Sequence, residues 1–134
     1  MTAAEGAGLS GPRTNLATAL ELLGKRPTPD YRNACKEAIS AVESAAKLIS
    51  GDRASKGIKE PLQKLAEKVP IHGALLAGFE KLYGYTSDDS GIRHGLLDES
   101  TVGLAEAQYM IVACSAFVHY LISKAGAVGL LKGA

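Results

Sequence analysis

Between positions 31 and 49, apolar side chains recur at alternating intervals of four and three residues, the spacing of one face of an α-helix. Most charged residues of this segment lie off that face. Two of the six residues of the face are alanine, whose small side chain lets a neighbouring helix approach closely. The segment therefore predicts a tightly packed helical bundle, with a helix that ends at Gly51 and buries Tyr31, Cys35, Ala38, Val42, Ala45 and Ile49.

Four further segments have helical spacing, and none alternates like a β-strand. They cover about 12–24, 55–69, 72–85 and 101–125. The last is apolar almost all round, which predicts a central helix, either covered on all sides or partly buried at an oligomer interface. The predicted fold is an all-α bundle of about five helices over residues 12–125, with flexible tails at 1–11 and 126–134.

Individual positions carry further expectations. Thr28, just before Pro29, is predicted to cap the second helix, and Pro70 to close the third. The other positions predicted to face inward are Leu16, Ala19, Leu20, Leu23, Ile58, Leu62, Leu65, Val69, Leu75, Phe79, Leu82, Leu104, Ala107, Ile111, Cys114, Val118 and Leu121.

Composition limits the function classes. The 134 residues fit one domain, and 15 basic against 14 acidic side chains leave no overall excess for a nucleic-acid binder, so any such site must be a local patch. Cys35 and Cys114 predict reduced core residues rather than a disulfide or zinc site. No secretory signal is visible, and the apolar stretch Met110–Ile122 is too short to cross a bilayer, which indicates a cytoplasmic protein.

A polar loop near position 90 is the candidate site. It contains Asp88 and Asp89, followed by Arg93 and His94, which are flanked by Gly91 and Gly95. Tyr83 and Tyr85 precede the loop. An arginine can bind phosphate through its planar fork, and a histidine can exchange a proton near neutral pH. Together they could cleave RNA without a metal, one moving a proton while the other stabilises charge on the phosphate.

Other interpretations stay open at this point. Arg93 and His94 could cap a helix or pair with nearby acids. A metal site from Asp88, Asp89 and His94 is possible, but the spacing matches neither an EF-hand loop nor a His-Glu-x-x-His helix. We expect His72 to be a helix cap or an exposed residue. We expect His119 to be a hydrogen-bonded core or interface residue rather than a ligand. A mildly basic face, which could guide an anionic polymer or be a solvated helix face, is formed by Lys47, Arg53, Lys56, Lys59, Lys64 and Lys68.

Five short sequence segments together carry a family resemblance. In chain order they are Pro29–Asn33, Lys36–Glu43, Leu82–Asp88, Gly91–His94 and Cys114–Val118. Over roughly residues 15–125, this order resembles the C-terminal domain of bacterial AbiJ-type abortive-infection proteins, a domain similar to the HEPN superfamily. The resemblance implies a HEPN-like bundle that forms a homodimer in phage defence or as a toxin. It also implies RNA binding or metal-independent RNA cleavage, with Arg93 and His94 at the catalytic positions and no cofactor.

The resemblance leaves rivals. Arg93 and His94 are adjacent, whereas HEPN ribonucleases separate the two residue types by several positions on one helix face. The alternative is therefore a non-catalytic dimerisation or sensor module that regulates a partner protein or another domain of a longer parent chain. A small-ligand-binding bundle is a third possibility. Tyr83 and Tyr85 could stack on RNA bases, or pack as core or interface aromatics.

Overall fold

The computed structural model describes residues 10–54, 57–86 and 102–130, and the regular structure in these ranges is entirely helical. This confirms the predicted all-α bundle of about five helices. In chain order the helices are α1 (Ser10–Gly24), α2 (Tyr31–Ser50), α3 (Lys59–Lys68), α4 (Gly73–Thr86) and α5 (Leu104–Ala127).

The central helix of the described bundle is α2, not the last helix as the sequence predicted. It packs against each of the other four helices. Its alanines explain this position, because a side chain of one carbon lets several neighbours approach the same helix. Five of these alanines are completely buried, and the predicted stripe is buried except for the half-buried Tyr31; the five are Ala34, Ala38, Ala41, Ala45 and Ala46.

Both ends of α2 have a clear physical cause. At the start, a carboxylate oxygen of Asp30 accepts a hydrogen bond from the backbone N–H of Asn33 at 3.1 Å, so Asp30 is the N-cap and the prediction of Thr28 was wrong. At the other end, Gly51 adopts a left-handed φ of 81° and donates its N–H to the carbonyl of Lys47. Glycine adopts this backbone conformation without steric cost, which confirms the predicted helix end.

A partly buried polar bridge fixes α1 against α2. The Asn15 amide donates to Glu37 Oε1 at 3.0 Å, and its oxygen accepts from the Ser44 hydroxyl at 3.1 Å. The helix begins at Ser10, two residues before the predicted domain boundary. Ala19 is buried, but Leu20 lies on the outer side of the helix and is exposed, contrary to prediction.

The short helix α3 is fixed by its apolar side and by two lysines. The four predicted inward residues Ile58, Leu62, Leu65 and Val69 are all buried. Lys64 pairs with the buried carboxylate of Asp52 at 3.0 Å, and Lys68 donates to the Ser50 carbonyl at 3.2 Å. The α-helix itself begins at Lys59, later than the predicted position 55.

The helices α4 and α5 run antiparallel, because residues near the start of α4 face the middle of α5 and the end of α4 faces the start of α5. Phe79 and Phe117 join them with rings stacked at 4.1 Å. At the start of α5, the Gly103 N–H donates to Glu106 Oε1 at 2.9 Å. Leu75 and Leu104 were predicted to face inward, but each lies on the outer side of its helix and is about half exposed.

The 24 residues of α5 exceed the apolar stretch Met110–Ile122 seen in the sequence. By length and composition alone, this is the one helix in the described part of the chain that could cross a membrane. The same test is passed by core helices of bundles, and α5 buries eight residues against the rest of the bundle. The cytoplasmic location stays a prediction.

Candidate functional site

The predicted catalytic loop falls outside the described residues. Asp88, Asp89, Arg93 and His94 all belong to the segment 87–101. What the structure defines is where this segment is attached, between Thr86 at the end of α4 and Val102 just before α5. Both of these residues are buried.

Tyr83 faces the central helix. Its hydroxyl donates to Glu43 Oε1 on α2 at 3.3 Å, and its ring is half-buried. A side chain at Gly57 would place its Cβ 3.2 Å from the Tyr83 hydroxyl, and Gly57 has a φ of 77°. Tyr83 therefore links α4 to α2 and to the connection before α3. Its proposed stacking on RNA stays a prediction.

Tyr85 faces α5 instead. It lies with Glu106, Tyr109 and Met110 beside a shallow depression between the two helices, and it is half-buried. Burial raises the pKa of Tyr85, with charges on neighbouring groups, including the Glu106 carboxylate, adding to the effect. The phenol is therefore protonated at neutral pH and available as a hydrogen-bond donor. The proposed stacking of Tyr85 on RNA bases stays a prediction.

A polar pocket of about 270 Å³ lies where α1 connects to α2. Its wall includes Val102, the first described residue after the segment that carries Arg93 and His94. We call it the α2 pocket; it is lined by Lys25, Thr28, Pro29, Asp30, Tyr31, Arg32 and Val102. The α2 pocket is therefore adjacent to one attachment point of the predicted catalytic loop.

Arg32 is the unusual residue of the α2 pocket. Its Nε is buried and has no hydrogen-bond partner among the described residues. Buried polar atoms almost always have a partner, so an unpaired guanidinium nitrogen beside a pocket needs an explanation. The opposing carboxylate, Asp30, is engaged by Asn33, since its two oxygens accept from the backbone N–H at 3.1 Å and from the side-chain amide at 2.8 Å.

Charges around Asp30 agree with this arrangement. The hydrogen bond from the Asn33 side chain lowers the pKa of Asp30 below its ordinary value, and the cations Lys25 and Arg32 contribute in the same direction. The sequence analysis missed this group. A signal was available, because three basic residues flank two prolines in the run from Lys25 to Arg32.

The outer side of α4 and α5 forms a second candidate site, which we call the apolar face. Tyr109 and Val112 are 62% and 68% exposed, and a groove of about 390 Å³ runs between the two helices. The face comprises Leu75, Leu82, Tyr109, Val112, Ala116, Phe117 and Tyr120. Contiguous apolar surface of this kind marks interaction sites more often than isolated exposed residues do.

The remaining histidines occupy simple positions. His72 accepts a hydrogen bond from the Ala74 N–H at 3.0 Å at the start of α4, which confirms the predicted cap. His119 is exposed on the outer side of α5, beside the apolar face, so it is not a core residue. The other predicted position, at an interface, stays a prediction. Among the described residues, no group of His, Cys, Asp and Glu could hold a metal ion.

Cys35 and Cys114 are free and buried, which confirms the predicted core positions. Burial raises the pKa of the Cys35 thiol to about 11 and that of Cys114 to about 12. At neutral pH both are thiols rather than nucleophilic thiolates, so their role in the described bundle is packing.

Two lysines of the predicted basic face have structural contacts. Lys64 binds Asp52 and Lys68 binds a backbone carbonyl, as described above. Lys47 and Arg53 lie together beside the start of α1, Lys59 is exposed at the start of α3, and Lys56 lies outside the described residues. The basic face therefore stays a prediction.

Comparison with known proteins adds no identification. No protein-family model matches the chain, no curated protein is similar to it, and no solved structure resembles its fold. The resemblance to abortive-infection domains therefore stays a prediction from the sequence.

Proposed function

We propose that this chain is a homodimeric RNA-binding domain of a phage-defence system, and that it cleaves RNA without a metal through Arg93 and His94. The observation that carries the proposal is the apolar face. The two helices that form it, α4 and α5, are the two that the segment 87–101 connects. A second copy bound at this face would therefore lie next to the helices from which both catalytic candidates extend.

The outer surface of α5 supports pairing with a helix. One row of its exposed residues recurs at alternating intervals of four and three, which is the spacing of a helix-packing seam. Most of them are small or apolar, so another helix can approach closely. The exposed seam consists of Ala105, Tyr109, Val112, Ala116, His119 and Ser123.

Charge at the two ends of α5 favours a second copy in antiparallel orientation. Glu106 lies in the first turn and Lys124 in the last turn, on the same side of the helix. In an antiparallel pair with its two-fold axis near position 115, each Glu106 lies opposite Lys124 of the second copy. A parallel pair would instead set the two Glu106 residues at one level. Such self-complementarity is what a two-fold interface requires.

The chemistry follows from the two side-chain types. Removal of a proton from a ribose 2′-hydroxyl lets that oxygen attack the adjacent phosphorus, and the 5′-oxygen leaves with a proton. The products are a 2′,3′-cyclic phosphate and a 5′-hydroxyl. His94 is suited to moving the protons and Arg93 to stabilising charge on the phosphate oxygens.

The decisive experiment incubates the purified protein with total RNA and with tRNA in the presence of EDTA. His94→Ala and Arg93→Ala are assayed beside wild type, and circular dichroism and light scattering verify fold and oligomeric state. We expect cleavage that persists in EDTA, leaves cyclic phosphate ends and disappears in both variants. Cleavage that EDTA abolishes, or that both variants retain, would contradict the proposal.

The non-catalytic interaction module is the second candidate, and the apolar face favours it equally, since that face needs a partner whether or not RNA is cut. The same experiment separates the two functions. A folded wild-type dimer that leaves every RNA intact, together with Arg93→Ala and His94→Ala variants that only lose thermal stability, would assign the chain to the interaction module.

A further inference from the structure

We infer that Tyr109 anchors the homodimer by inserting its ring into the groove between α4 and α5 of the second copy. The inference rests on the proposed function for the presence of a second copy at the apolar face. It goes further by naming the side chain that enters the groove and the groove residues that receive it, Leu75, Gly78 and Tyr120.

The groove exists because α4 and α5 are held apart. Their Cα atoms stay more than 8 Å from each other along nearly the whole length of the two helices. The gap is lined by four small residues, Ala74, Gly78, Ala113 and Ala116. Small residues let two helices approach closely, so this gap is space that neither helix fills. A Cβ at Gly78 would meet no described atom of another helix within 4 Å, which shows that the space is open.

Three aromatic rings line the groove and follow one another in nearly parallel planes. The ring centroids of Phe79 and Phe117 are 4.1 Å apart with 6° between the planes, and those of Phe117 and Tyr120 are 6.0 Å apart with 26° between the planes. Tyr120 ends this run and is only half-buried, so a further ring can pack against it. Every residue that lines the groove is uncharged, so an uncharged aromatic side chain suits it.

The helical register brings Tyr109 of the second copy to this position. In the antiparallel pair with its two-fold axis near position 115, Tyr109 lies six residues before the axis and Tyr120 five residues after it. Tyr109 of one copy is therefore within about 1.5 Å of the level of Tyr120 of the other. The two residues also lie on the same side of α5, because eleven residues make about three turns.

Tyr109 has the exposure expected of an anchor. Its side chain is 62% exposed in the single chain, so most of its ring is available for burial at an interface. Val112 is 68% exposed but does not line the groove. Because each copy supplies one Tyr109 and one groove, a two-fold pair makes the same insertion twice. Aromatic side chains buried in a pocket of the partner commonly dominate the affinity of an interface.

The test measures the dimer dissociation constant of the full chain by analytical ultracentrifugation. Tyr109→Ala removes the ring, and Gly78→Leu fills the groove at a position where the single chain has room for a side chain. We expect each change to raise the dissociation constant at least about thirtyfold. Tyr109→Phe keeps the ring and should raise it less than about threefold.

Gly84→Leu is the matched control for the filled groove. Gly84 lies on the same helix and has equal room for a Cβ, but it does not line the groove. Leucine is also a better helix former than glycine, so both leucine variants should keep their helical content, which circular dichroism verifies. Only Gly78→Leu should weaken the dimer.

Fluorescence reports the insertion directly. The chain contains no tryptophan, so Tyr109→Trp introduces a single one. Its emission should shift to longer wavelength on dilution, as the dimer dissociates and the indole moves from the groove into water. When Gly78→Leu is combined with Tyr109→Trp, the emission should stay at the longer wavelength at every concentration at which the chain with Tyr109→Trp alone is dimeric.

The results separate this inference from the proposed function. If wild type forms a dimer that Tyr109→Ala and Gly78→Leu leave equally tight, the insertion is overturned while the homodimer stands. A wild type that stays monomeric at every concentration overturns both. A dimer that depends on Tyr109 and on the open groove, but leaves RNA intact in EDTA, supports the insertion and contradicts the proposed ribonuclease.

Discussion

The two longest helices, α2 and α5, differ in how much of their apolar surface is buried. In α2 one alanine-rich side is buried by four neighbouring helices, and the polar side faces outward. In α5 one side is buried against the bundle while Tyr109, Val112 and Ala116 remain on its surface. The comparison teaches that an apolar helix is not automatically the core, because small residues decide which helix can accept the most neighbours.

The contrast between the buried helix α2 and the partly exposed helix α5 is tested most strongly by placing the same charge on each helix. Ala45 of α2 is completely buried, so Ala45→Glu sets a carboxylate among apolar side chains without a cation. We expect a loss of at least about 3 kcal/mol in the free energy of unfolding, measured by urea titration. A stable, cooperative transition like that of wild type would show that α2 is not the packed centre.

Ala116→Glu is the matched change on α5. Ala116 is exposed, so the unfolding free energy of the single chain should change by less than about 0.5 kcal/mol. At a two-fold contact near position 115, however, the two new carboxylates face each other. We expect the dimer dissociation constant, measured by analytical ultracentrifugation, to rise more than about tenfold. A dimer as tight as wild type would exclude the α5 seam as the interface.

The cap of α2 provides a smaller and more local effect. Asp30→Ala removes the acceptor for the Asn33 N–H and should cost about 1 kcal/mol, whereas Asp30→Asn, another good N-cap, should cost much less. The pKa of Asp30 is lowered in the folded chain from its ordinary value of 3.8. Its charge therefore contributes stability above pH 3.8 that is lost as the pH falls through the folded-state pKa.

Comparison of wild type and Asp30→Asn by thermal unfolding between pH 2 and 7 isolates this contribution. The stability difference between them should shrink below about pH 4, where the carboxylate becomes protonated. A difference that is constant over the whole range would mean that the charge of Asp30 does not contribute.

The smallest expected effect is on dimer affinity, from the charges at the two ends of α5 in the proposed antiparallel dimer. Lys124→Glu places two carboxylates opposite each other at both ends of an antiparallel pair and should weaken the dimer by about 0.5–1 kcal/mol at low salt. Lys59→Glu, the same change at the exposed start of α3, is the control. Adding Glu106→Lys to Lys124→Glu should restore the affinity, although it also removes the hydrogen bond to Gly103. No recovery in the double variant would argue against antiparallel pairing.

The sequence was sufficient where one side of a helix carries all the apolar residues. The stripe of α2 and the buried residues of α3 were predicted because the 3.6-residue period is unambiguous there. It failed at Leu20, Leu75 and Leu104, where a long apolar side chain lies on an outer surface. The sequence also failed to predict which helix is central, because apolar content alone favoured α5.

The site was less predictable than the fold. Sequence spacing singled out Arg93 and His94 as neighbours in one loop, and these stay predictions. The α2 pocket could not be predicted by periodicity, because Lys25, Arg32 and Val102 meet through the packing of α1, α2 and the start of α5 rather than through a motif. Local sequence identifies a cap such as Asp30 only among several candidates, and here it favoured Thr28.

Because both native thiols are buried, the chain can be labelled with a dye at a single introduced cysteine. With pKa values of about 11 and 12, Cys35 and Cys114 react slowly with alkylating dyes while the fold is intact. A cysteine introduced at an exposed position outside the α5 seam, as in Lys59→Cys, would therefore take a dye selectively without removal of the native cysteines. Energy transfer between two such dyes would follow assembly of the labelled chain in real time.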